Sequence, residues 1–115
     1  MGMRENIEFA EIIEAVLHNM RVEPTTRTLG AALSLVAKDT CLQFIDPGGA
    51  ARTITLPAEA DSKGKIFIIM NTADAAEILT IQDDTPATVV TPTQNECAVV
   101  FCDGTTWRGF VATEA

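Results

Sequence analysis

At 115 residues the chain has the length of one ordinary domain, and a 47% hydrophobic composition with no long polar tract excludes wholesale disorder. A formal net charge of -8, with the eight Lys and Arg scattered singly, excludes the clustered cationic surface that a nucleic-acid partner requires. Its apolar runs, such as Ile66 to Met70 and Cys97 to Cys102, are far short of the roughly 18 residues of a membrane span, so no membrane partner is expected.

The N-terminal segment reads as a helical arm. Between Arg4 and Met20, Phe9, Ile12, Ile13, Val16, Leu17 and Met20 follow helical spacing and form one apolar stripe. Glu11, Glu14 and His18 fall on the far side. Phe9, Ile13, Val16 and Met20 are also spaced as in a short heptad seam, which marks the arm as a docking element. Glu5, Glu8, Glu11 and Glu14 interrupt any signal-peptide core, so synthesis and folding in the cytoplasm are expected. Pro24 should stop the helix, and Glu23 to Gly30 reads as a linker. The expected organisation is an arm and linker over 1–28 and a β domain over 29–115.

From Leu29 onward the period falls to two, and short β-prone runs recur between turn signals. These predict about eight strands: 29–37, 40–45, 52–56, 65–70, 77–82, 88–91, 96–102 and 106–111. The expected fold is mainly β, an antiparallel, jelly-roll-like β-sandwich with the N-terminal helical arm. Asp103-Gly104 is the strongest hairpin signal and predicts a type I′ turn. Threonines alternate with Ile54 and Leu56 in the third run, as in a strand with one wet face. Ile66 to Met70 and Cys97 to Cys102 are apolar throughout, so both of their faces should be covered, by the arm or by another subunit.

No catalytic constellation emerges, because the only histidine, His18, lies on the polar side of the arm. Cys41, Cys97 and Cys102 lack metal-ligand spacing and read as free thiols, with Cys97 and Cys102 on opposite strand faces. Asp46, Asp74, Asp83, Asp84 and Asp103 fall in predicted loops, where acids are ordinary, and Gly48-Gly49 reads as a turn. No enzyme, cofactor or metal site is therefore expected.

One ordered set of residues carries a resemblance: Ile54-Thr-Leu-Pro57, then Gly64-Lys-Ile-Phe-Ile-Ile-Met-Asn71 and an Ala-rich loop, then Leu79-Thr-Ile81 and Ala98-Val-Val-Phe-Cys-Asp-Gly-Thr-Thr-Trp107. In this the chain resembles the small β modules of tailed-bacteriophage virion proteins, most of all capsid decoration (cement) proteins, and also tail-fibre modules. The resemblance implies a homotrimer on the capsid surface that clamps neighbouring copies of the major capsid protein. The alternatives it leaves are a tail-fibre or tail-associated module that binds a host surface or carbohydrate, and a small carbohydrate-binding module. The expected interface between copies comprises Phe9, Ile13, Val16 and Met20 of the arm, with Ile66, Ile68, Met70, Val99 and Phe101 of the doubly apolar strands.

Overall fold

The computed structural model describes residues 21–113, and the expected helix over Arg4 to Met20, with its four candidate interface residues, lies outside them. Nine strands follow in chain order: β1 Pro24–Thr28, β2 Leu33–Ser34, β3 Leu42–Asp46, β4 Arg52–Thr55, β5 Ile66–Asn71, β6 Leu79–Gln82, β7 Thr88–Val90, β8 Glu96–Cys102 and β9 Trp107–Thr113. They form two sheets, ordered β1-β3-β5-β8-β9 and β2-β4-β6-β7. The protein is mainly β, as its period of two predicts.

The connectivity corrects the antiparallel expectation. Strands β1 to β6 alternate between the sheets, so the chain winds as a short two-sheet coil, each turn adding one strand to each layer. Pairings β1–β3, β3–β5, β2–β4 and β4–β6 are parallel. Antiparallel pairing enters only with the last three strands, through the pairs β5–β8, β8–β9 and β6–β7. The result is two mixed sheets rather than an antiparallel jelly roll. A period of two is common to parallel and antiparallel strands, so the pattern could not separate them.

Corner residues carry the ladder beyond the strands: Leu29 N–H donates to Asp46 O, Thr72 N–H to Ile45 O, Leu35 N–H to Thr55 O and Leu56 N–H to Gln82 O. Each bond ties one turn of the coil to the next, so the corners as well as the strands are held in register. Pro24–Thr28, read above as linker, is strand β1, paired residue for residue with β3. Its proline and alternating polar residues suit a sheet edge, where an unpaired backbone must not recruit another strand. The long first run shrinks to β2, because Val36 N–H is taken by Asp39 Oδ2 in a turn.

The core lies between the layers, built on Phe67, Ile69, Ile54, Ile81, Leu79 and Val100, all fully buried. Trp107 closes one end, stacked on Phe67 with ring centroids 6.0 Å apart and its Nε1–H donated to Pro57 O at 2.8 Å. The β8–β9 connection is a four-residue loop, not the expected two-residue type I′ turn: only Gly104 has positive φ, and Asp103 Oδ1 accepts the N–H groups of Thr105 and Thr106.

Gly48 has a positive φ of 81°, and a Cβ there would stand 1.9 Å from Leu29 O, inside the corner that joins the first two coils. Gly49 has φ of 99° but open space around it. Gly48→Ala should therefore lose about 2 kcal/mol or more of stability in urea unfolding, and Gly49→Ala only about 1 kcal/mol, from backbone strain alone. Equal losses would remove the steric account of that corner.

Candidate assembly surface

Because side chains alternate across a strand, each sheet has one row set in the core and one outside. The outer rows of the four-stranded sheet are polar: Ser34 beside Thr55, Thr53 beside Thr80, and Gln82 beside both Thr55 and Thr88. This is an ordinary wet face. The middle outer rows of the five-stranded sheet are mainly apolar, while its Thr28–Asp46 pair is polar. One runs Pro24, Leu42, Ile68, Val99, Phe110 across all five strands, and the next runs Thr26, Phe44, Met70, Cys97, Ala112. A third joins Ile66, Phe101 and Arg108.

Among the described residues nothing packs over this surface, though most of its side chains are half-buried by their neighbours. Phe110 is 56% exposed, Ile66 47% and Phe101 40%, while their strand neighbours Phe67 and Val100 are fully buried. Single exposed apolar residues are ordinary, but a contiguous apolar face across four strands is a candidate contact surface. The five β-strand residues named from the sequence, Ile66, Ile68, Met70, Val99 and Phe101, all lie on it. The structure pairs Ile66 with Phe101 and Ile68 with Val99.

Leu42, Phe44, Cys97, Phe110 and Ala112 belong to the same face and escaped the sequence reading. In β3 the deceptive residue is Gln43. It is fully buried, facing inward, with its amide donated to Thr40 O at 2.9 Å and its Oε1 accepting from Arg27 Nε at 3.2 Å. Leu42 and Phe44 are thereby turned outward, the reverse of their polarity. A polar residue between two apolar ones was the available signal, and only its partners show which way it points.

Cys97 lies on the outer face and the buried Cys102 on the inner one, as their spacing requires. Partial burial pushes the Cys97 thiol above its ordinary value. The loop acids are occupied with turns: Asp83 Oδ1 accepts from the Thr85 hydroxyl and from the N–H groups of Ala87 and Thr85. Asp46, Asp74 and Glu77 converge, with carboxylate oxygens within 4.8 Å of one another. Buried Asn71 pins their loop, donating to Glu77 O and Pro92 O and accepting from Ala73 N–H. Among the described residues no helix is long and apolar enough to cross a membrane.

No protein-family model matches this chain, and neither a curated protein nor a solved structure matches it.

Two predictions concern these acids. Glu77 Oε1 is buried without a hydrogen-bond partner beside two other carboxylates. Glu77→Gln should raise stability by roughly 0.5 kcal/mol at low salt, less at high salt, since it removes one of three like charges. A loss in denaturant unfolding would show that the charge is needed. The second concerns pH. The Asp83 carboxyl is held below its ordinary 3.8 by the Thr85 hydroxyl and then the Ala87 and Thr85 N–H groups. Glu96 is held below 4.5 by the Thr93 N–H and hydroxyl, and Asp103 below 3.8 by the Thr106 and Thr105 N–H groups. Folded values below unfolded ones give stability that is full above the unfolded pKa and lost as pH falls through the folded pKa. Glu59 opposes this: its own backbone hydrogen bond is outweighed by desolvation and by Asp84 and Asp83, which raise it. Thermal melts should hold from neutrality to about pH 5 as far as these groups contribute, then fall below about pH 4, with a shallower fall in Asp103→Asn.

Proposed function

We propose that this protein is a non-catalytic structural protein of a tailed-phage virion, a capsid cement protein that binds across neighbouring capsid subunits as a homotrimer. The observation that carries this reading is the outer face of the five-stranded sheet. Its rows are built of Leu, Ile, Phe, Met and Val where the other sheet presents Thr, Ser and Gln. Such a face is an association surface, because left bare it would cost solubility. The ordered residues from Ile54 to Trp107 supply the virion assignment by resemblance, and the acidic surface suits a capsid partner with basic patches.

In this reading the copies meet through the apolar face together with the N-terminal arm, and the polar outer sheet and the acidic loops remain at the surface. Ile68 and Val99 sit side by side at the middle of that face. Purified protein at micromolar concentration should scatter light as three chain masses and should add at high copy number to heads prepared without it. Ile68→Asp or Val99→Asp should dissociate it or precipitate it, and reduce head binding at least tenfold, which corresponds to about 1.4 kcal/mol. A chain that binds cells and ignores heads would replace the cement role with the tail-associated one. A monodisperse monomer would remove the trimer.

A further inference from the structure

The apolar face must be covered by something, and the chain itself supplies a segment of matching dimensions. Its apolar part crosses β3, β5, β8 and β9, which at about 4.8 Å per strand is about 14 Å between the outermost axes. The stripe from Phe9 to Met20 is eleven residue steps, which as the helix that its spacing predicts would measure about 16 Å at 1.5 Å per residue. The segment also arrives at the right place. It joins the body through Arg21, Val22 and Glu23, all exposed, immediately before Pro24, whose side chain heads the row Leu42, Ile68, Val99, Phe110. Three extended residues reach about 10 Å, the spacing between one layer and the next packed on it.

The sheet's first edge is a poor alternative for docking. β1 opens with Pro24, which has no N–H, and turns Thr25 and Arg27 toward the core side. There Thr25 Oγ1 bonds Thr40 Oγ1 at 2.7 Å, and Arg27 meets Gln43 and, at 3.8 Å, Asp39. A polar lid of this kind closes the end of a coil in the way that capping repeats close a solenoid. Association is thereby directed to the face.

We infer that residues 1–20 lie across the outer face of the five-stranded sheet, with Phe9, Ile13, Val16 and Met20 seated on the rows formed by Leu42, Phe44, Ile68, Met70, Val99 and Phe110. The inference rests on the assembly reading above and deepens it, by naming what covers the face between copies.

Cys97 lies on this face and reports its cover, while Cys102, buried in the core, reports the fold. The 115-residue chain and its Ile13→Asp/Val16→Asp variant are treated with N-ethylmaleimide, and the label at each cysteine is read by peptide mass. Uncovering the face should speed Cys97 labelling by about tenfold or more, with Cys102 slow in both proteins. Equal Cys97 rates overturn the inference: equally fast means that nothing covers the face, equally slow that another body does. If rapid Cys102 labelling shows that the variant fails to fold, the otherwise unaltered chain carrying benzoylphenylalanine at position 16 decides. Photo-adducts on the outer residues of β3, β5, β8 or β9, within a chain or between chains, support the arm, and adducts elsewhere or none overturn it. Protein whose Cys97 ignores the arm but which still adds to heads leaves the cement role standing without this inference. Protein whose arm protects Cys97 but which ignores heads does the reverse.

Discussion

Parallel pairing between successive turns of the coil is the constraint on which the rest of the structure depends. Once β3 lies in register beside β5 and β4 beside β6, every second residue of each strand is committed to the space between the sheets. Ile54 then stacks on Ile81, and Phe67 faces inward against Trp107. A shift of one residue would exchange the two faces of a strand and bring outer residues into the core. The corner hydrogen bonds from Leu29, Leu35, Leu56 and Thr72 suppress that shift where a strand alone is too short to do so. Gly48 is part of the same device, since only a residue without Cβ lets the first corner approach Leu29 O.

The buried polar groups reinforce the register. Gln43 and Asn71 are fully buried, yet each is satisfied by specific carbonyl oxygens, Gln43 by that of Thr40 and Asn71 by those of Glu77 and Pro92. A buried amide left unpaired costs roughly 1–3 kcal/mol, so these partners make competing registers expensive in a way that apolar contacts do not. Asn71 also ties the loop carrying Asp74 and Glu77 to the Pro92 segment. One side chain therefore links strand β5, the acidic loop and the entry to β8.

The two layers differ in what they show to the outside, and this difference gives the fold its functional direction. A sheet with one polar outer face and one covered inner face is complete in water, as the β2-β4-β6-β7 layer is. The β1-β3-β5-β8-β9 layer differs, because its middle outer rows are mainly apolar. Antiparallel closure by β8 and β9 widens this layer from three strands to five, and it extends the apolar face through Val99, Phe101 and Phe110. The last two strands therefore enlarge the apolar outer face as well as closing the coil.

The sequence by itself determined a good deal that is local. Glu96–Cys102 is a strand with the bounds read from its residues, and Cys97 and Cys102 take opposite faces. The doubly apolar character of β5 and β8 was also legible, and with it five residues of the outer face. Alternation and turn chemistry act over a few neighbours, and so a few neighbours suffice to read them. Only the tertiary structure decided that the coil is parallel, that Pro24–Thr28 is a strand, and that Gln43 points inward while Leu42 and Phe44 point out. Those outcomes rest on partners distant in sequence, Leu42 beside Ile68 and Pro24 beside Leu42. A strand's own period says which residues share a face, but the partner across the ladder decides which face is buried.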